Sequence, residues 1–322
     1  MDRPNKPTAL ASTPALAPQP QVSITHSNQR VSAVLPTGES VEILLYGATV
    51  LSWKDKDGDE KLWLSEGAKL DGSKAVRGGI PLVFPVFGAP PAGHATSRLP
   101  QHGLARTSRW EFLGKSTSES ARMEGRKAGD LSVKLDFGLS SATLDAAAKP
   151  LWPFKFGLIY SVTLNRDSLT TSLVVTNDDD KPFDIQVLLH TYFRVNDITK
   201  VQVTGLDGAE YVDKVDGLKT KQQSSDVTIT GETDRVYSPA GGAGQAVSVI
   251  EGGKAALSLA RDNLPDVVVW NPWATGAAGI ADFAPKAGYA NMVCVEAGSV
   301  RGWQTLEPGD AFEGAQTITL LS

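Results

Sequence analysis

From residue 21 to residue 322 the chain runs in short stretches that alternate apolar and polar positions with period two. QVSITHS, RVSAVLP, VEILLYGATVLSWKD, LSVKLDFGL, FKFGLIYSVTLN, SLTTSLVVTND and FDIQVLLHTYFRV come first. VTITG, AVSVIEG, AALSLARD, DVVVWNPW, NMVCVEAGSV and AQTITLLS follow. These runs are rich in Val, Ile, Leu, Thr and aromatics, and most close on Asp, Asn or Gly, as half-buried strands do. Gly47 interrupts the third run and predicts a bulge or bend inside it. Helical signals are scarce: LDAAAKPLWPF holds a brief Ala run that Pro150 and Pro153 limit to about one turn. Evenly spaced strands without intervening amphipathic helices predict an all-β fold of antiparallel sheets packed face to face. One large β-sandwich domain over residues 21–322 is the expectation. The longest break in the pattern, residues 66–101, is rich in Gly and Pro. A connection of that length is usually functional or disordered.

Composition narrows the possible partners. The 322 residues are 41% hydrophobic and 21% charged, ample for a sizeable core. A formal net charge of −5 argues against a nucleic-acid partner, which needs a basic face. It leaves room for an anionic ligand held locally by a few arginines. Cys294 is the single cysteine, which excludes an internal disulfide and suggests a reducing compartment. The stretch MDRPNKPTALASTPALAPQP carries prolines at 4, 7, 14, 18 and 20 and lacks the apolar core of a secretory signal. Residues 1–20 therefore read as a disordered tail rich in Pro and Ala. No run approaches the ~18 apolar residues that span a bilayer. A cytoplasmic monomer with no membrane partner is expected.

Few residues remain to carry chemistry. His190 ends the run IQVLLHTYFRV, where Ile185, Val187 and Leu189 share one face and Gln186, Leu188 and His190 the other. A hydrogen-bonded core histidine and a catalytic one fit this position equally. Glu296, in NMVCVEAGSV, shares a mostly apolar face with Met292 and Cys294. A buried carboxylate without a partner is costly, so Glu296 is either paired or poised as a base, and the small Ala297 and Gly298 leave room for a ligand. Asp234, in GETDRVYS, reads as a turn residue, capping or solvent-exposed. Arg77 precedes Gly78 and Gly79, whose successive N–H groups can form an anion nest, and with Arg106 it can neutralise a phosphate. Arg106 closes LPQHGLART, which also places Gln101 and His102 between Pro100 and Gly103. The chain has no H-E-x-x-H motif, no paired cysteines, no Walker loop and no G-x-S-x-G, so no metal, nucleotide or serine-nucleophile signal arises.

RGGIPLVFPVFG followed by LPQHGLARTSRWEF resembles the hexose-6-phosphate mutarotase branch of the aldose 1-epimerase family. The likeness continues through LLHTYFRV, the GLDG turn, ETDRVY, VVVWNPW, NMVCVEAG and LEPGDAFEGAQTITL, and is less clear over residues 116–150. It implies a galactose mutarotase-like sandwich that interconverts the α and β anomers of a hexose 6-phosphate, with no cofactor and no metal. By motif position it implies His190 as acid and Glu296 as base. Asp234 and His102 would hold the sugar, and Arg77, Gln101 and Arg106 would line the pocket, with the arginines on the phosphate. Three other readings share the sandwich: a passive carbohydrate-binding protein with Trp270 and Trp273 as its platform, a glycoside hydrolase using Asp234 and Glu296, and a mutarotase of unphosphorylated aldoses.

Overall fold

The computed structural model describes residues 18–27, 29–117 and 131–321. The tail expected over residues 1–20 lies, for residues 1–17, outside the described residues, as does 118–130 within the less clearly matched stretch.

Strand alternation becomes layer architecture directly. In Ser168–Asn177 every second residue is buried, and the strand pairs along its length with Phe156–Leu164 on one side and Ala311–Leu320 on the other. These belong to a nine-stranded sheet. Facing it is an eight-stranded sheet whose central strands are Thr233–Ser238, Asp266–Asn271, Met292–Leu306 and Phe183–Leu189. All strand pairs in both sheets are antiparallel. Leu169, Leu173 and Val175 of the first sheet join Ile185, Val187, Leu189, Val293 and Val295 of the second in one core cluster. Each such side chain, fully buried, contributes about 1.5–3 kcal/mol. A four-stranded sheet of residues between Gln21 and Lys54 adds Val31, Ala33, Val41 and Ile43 to the same core.

The face of the eight-stranded sheet turned away from this core carries the polar residues. Met292, Cys294 and Glu296 alternate onto it from one strand, and Gln186, Leu188 and His190 from its neighbour. Gln186 occupies a register irregularity between Ile185 and Val187. Its amide oxygen accepts from Phe87 N at 2.9 Å, while its amide nitrogen donates to the carbonyls of Val300 (2.8 Å) and Gly302 (3.0 Å). Its backbone N–H reaches Pro85 O at 2.8 Å. The bulge thus ties the Gly- and Pro-rich segment to the sheet.

Two local details sharpen the sequence reading. VEILLYGATVLSWKD is a hairpin of Ser40–Leu44 and Thr49–Lys54, with Gly47 (φ +75) in the turn. A Cβ there would lie 2.7 Å from Arg106 O, so glycine serves a close chain crossing. The long break also contains a short strand, Leu82–Val83, paired with Leu188 and Leu189.

Candidate active site

His190 follows the last residue of Phe183–Leu189 and is anchored by its N–H on Pro81 O at 3.0 Å. Leu189 pairs with Ala297, which brings Glu296 of the adjacent strand beside it. His190 Nδ1 and Glu296 Oε1 are 3.2 Å apart, yet His190 Nδ1 and Glu296 Oε2 have no hydrogen-bond partner among the described residues. The two groups touch without satisfying each other. His190 is 8% exposed and Glu296 1%. The imidazole lies flat against Tyr192, centroids 4.7 Å apart at 9°, with Trp270 and His102 edge-on.

Burial sets the protonation of both groups. It holds His190 well below its ordinary pKa, helped by the neighbouring His102 ring and by the positive charge of Arg106 and Arg77. It holds Glu296 well above the usual carboxylate range, reinforced by Asp234 and opposed by Lys214 and Arg106. Burial thus favours the neutral form of each partner.

LPQHGLART builds the opposite wall. His102 has φ +67 and Gly103 φ +75, and Gly103 N–H closes a turn on Pro100 O at 2.9 Å. This kinked path turns the His102 ring inward. Its Nδ1 accepts from Gly88 N at 3.2 Å, which leaves the ring proton on Nε2. Burial and the cations Arg106, Lys214 and Arg77 hold the ring pKa well below its ordinary value. Gln101 is exposed at the rim, with its backbone carbonyl accepting from Arg106 Nη2 at 2.9 Å. Arg106 Nε is buried without a partner among the described residues. Burial and the like charge of Arg77 bring the Arg106 pKa down to about 10, against the pull of Tyr192 and Glu296.

Arg77 donates to Asp282 Oδ1 and to the Tyr192 hydroxyl, each at 3.3 Å. Burial alone would lower its pKa, but Tyr192 and Asp282 raise it. Asp234 is 3.0 Å from Lys214 Nζ, which also lies 5.0 Å above the Phe87 ring. These groups enclose a cavity of about 240 Å³ lined by Arg77, Gln101, His102, Arg106, His190, Asp234 and Glu296 together. The seven candidate catalytic and binding side chains of the sequence all line it.

Several expectations need correction. Asp234 is a half-buried strand residue, paired across the sheet with Trp270, because the ETDRVY run starts a strand at Thr233 and not a turn. Gly78 and Gly79 form no free anion nest: Gly79 N–H donates to Trp63 O at 2.8 Å, and a Cβ on Gly78 would lie 2.5 Å from the same carbonyl. Their role is close chain packing. Gly298 likewise makes room for Leu188 and not for a ligand, since a Cβ would lie 3.0 Å from the Leu188 side chain. Trp270 lines the cavity, whereas Trp273 packs at a 47° tilt against Tyr289. Lys214, Phe87, Tyr192 and Asp282 were missed. Tyr192 and Phe87 stand inside the quoted motifs, but nothing in EYVDK marks Lys214.

A carboxyl and an imidazole in contact can take and give protons at two atoms of one small substrate, while the arginines offer an anion site alongside. The sequence pattern of the aldose 1-epimerase family matches residues 30–319. A Cenchrus ciliaris protein named "Putative glucose-6-phosphate 1-epimerase" is 35% identical over 281 residues, 85% of this chain and 79% of the relative. A protein of the same name from Escherichia coli is 35% identical over 256 residues, 78% of this chain and 77% of the relative. The crystal structure of "a putative mutarotase (YeaD)" from Salmonella typhimurium superposes with a TM-score of 0.76 at 28% identity, covering 92% of each chain. With the family pattern running almost its whole length, this chain is an epimerase that belongs to the aldose 1-epimerase family.

Proposed function

We propose that this epimerase interconverts the α and β anomers of a hexose 6-phosphate, glucose 6-phosphate in the first instance. The observation that carries the reading is the unsatisfied His190–Glu296 pair sharing a cavity with two arginines, Arg77 and Arg106.

In a pyranose the anomeric hydroxyl and the ring oxygen are bonded to the same carbon. An acid and a base 3.2 Å apart on neighbouring strands can therefore serve both oxygens, and need not flank the carbon from remote parts of the fold. Proton transfer from Glu296 to His190 converts the resting pair into carboxylate and imidazolium. Glu296 then takes the anomeric proton while His190 donates to the ring oxygen. The bond between C1 and the ring oxygen breaks, C1 becomes a carbonyl carbon, and the pair returns to carboxyl and neutral imidazole. Rotation about C1–C2 and the reverse transfers close the ring on the other face. Burial strengthens both partners for these roles: a carboxylate with a raised pKa is a stronger base, and an imidazolium with a lowered pKa is a stronger acid. Each positioned transfer contributes about 10²–10⁴-fold.

A phosphate monoester, carrying about −1.5 to −2 at neutral pH, matches Arg77 and Arg106. The dianion would relieve the mutual repulsion of the guanidiniums and give the buried Arg106 Nε an acceptor. Asp234 and His102 Nε2–H remain for the sugar hydroxyls. The names of the relatives from Cenchrus ciliaris and Escherichia coli agree with this substrate.

The test is anomer exchange followed by NMR on glucose 6-phosphate and on glucose. The parent should accelerate the phosphorylated sugar far more, and Arg106→Ala should narrow that gap. Equal acceleration of both sugars would reassign the enzyme to unphosphorylated aldoses. Undiminished exchange in both Glu296→Gln and His190→Asn would remove the pair from the mechanism.

A further inference from the structure

We infer that His190, Glu296 and Cys294 together form a binding site for a thiophilic divalent cation of the zinc type, and that its occupation switches the epimerase off. One Nδ1 or Nε2 of His190, the Cys294 sulfur and a Glu296 carboxylate oxygen all lie within 4.8 Å of one another. The three residues are buried, Cys294 completely. Cys294 and Glu296 stand two apart on one strand and so share a face, with His190 delivered by the neighbouring strand.

Two features separate this cluster from a chance grouping around a lone thiol. His190 Nδ1 and Glu296 Oε2, both deep in the fold, lack hydrogen-bond partners among the described residues and offer lone pairs to the same small volume. The 3.2 Å between Nδ1 and Oε1 is also close to the edge of a zinc tetrahedron, about 3.3–3.5 Å for bonds of about 2.0–2.2 Å. Nitrogen, oxygen and sulfur from the protein form a ligand set zinc accepts, and His190 and Glu296 also line the cavity. Coordination deprotonates the thiol outright, so binding releases the Cys294 proton together with any carried by the ligating atoms of His190 and Glu296.

The surroundings decide what kind of site this is. Arg77, Arg106 and Lys214 line the same cavity and oppose an added positive charge. The cation is therefore held reversibly and competes with the sugar, unlike the ion of a closed structural centre. Bound there, it occupies the lone pairs needed for proton transfer. Inhibition rests on the proposed acid–base roles; binding rests on geometry alone.

Cobalt(II) and zinc(II) added to the full chain test the two parts separately. Cobalt should give a near-ultraviolet thiolate charge-transfer band in the parent, absent from Cys294→Ala and from Cys294→Ser, the serine variant covering the case in which alanine fails to fold. Zinc should inhibit anomer exchange reversibly, with EDTA restoring it and glucose 6-phosphate protecting. In the Cys294 variants, whose basal exchange should match the parent, the inhibitory concentration should rise by about tenfold or more. A parent without the charge-transfer band overturns the site, even if exchange activity is present. Equal zinc sensitivity in the Cys294 variants overturns it too. A cobalt band in a parent lacking epimerase activity keeps the site and refutes the proposed reaction.

Discussion

Gly103→Ala probes how the cavity wall is built. At φ +75 the left-handed backbone costs a non-glycine residue about 1–2 kcal/mol. The new Cβ would also land on the Phe84 carbonyl, 2.5 Å from its carbon. That oxygen accepts from Leu104 N at 2.9 Å and Ala105 N at 3.3 Å. Moving the chain away weakens two hydrogen bonds of about 0.5–1.5 kcal/mol each. The loss comes to about 2–5 kcal/mol, or about 4–10 °C in Tm at ~2 °C per kcal/mol for a chain of this size. Gly93→Ala is the control, because Gly93 has φ +78 but open space around its Cβ position. It should show the conformational cost alone, about 1–2 kcal/mol. Thermal and urea denaturation measure both variants, and NMR anomer exchange well below either Tm reads the consequence for the site. Gly103→Ala should lose exchange activity because His102 and Arg106 flank the displaced turn, whereas Gly93→Ala should keep it. Equal Tm shifts in the two variants would refute the claim that close approach to Phe84 holds the loop.

Three further outcomes follow from the same geometry. Tyr192→Phe keeps the ring stacked on His190 but removes the hydroxyl that Arg77 reaches, so steady-state kinetics should show KM for glucose 6-phosphate rising about 2- to 10-fold with kcat nearly unchanged. Gln186→Leu leaves Phe87 N and the carbonyls of Val300 and Gly302 without their partner, and urea melts should register a loss of about 2–4 kcal/mol. Burial alone would raise the Asp282 carboxyl, but Arg77 and Lys74 outweigh it and hold the pKa below the ordinary 3.8. That stabilisation is present above pH 3.8 and lost as pH falls through the lowered folded value, so the stability gap between parent and Asp282→Asn, measured by denaturant melts, should be full at pH 6 and shrink in acid.

Period-two alternation records which face of a strand meets the core, and that much is local. It separated Ile185, Val187 and Leu189 from Gln186, Leu188 and His190 and put Glu296 on a mostly apolar face; the layers turn the first set into the core and bury His190 and Glu296 on the opposite face. The motif order carried the family and brought Arg77, Gln101, His102, Arg106 and Asp234 forward as a set. Alternation is silent on which strands become neighbours, because pairing is decided by the summed burial of the whole sandwich. The 3.2 Å contact between residues 190 and 296 therefore exists only in the folded sheet. So do the Lys214–Asp234 and Arg77–Asp282 pairs, whose partners carry no sequence signal. The glycines show the same division. Sequence marks Gly47 as a bend, Gly79 as part of an anion nest and Gly298 as open space, while the fold uses each to bring another chain segment close. Strand faces were written in the residues; the cavity, its His190–Glu296 contact and its cations arise only where the sheets close on one another.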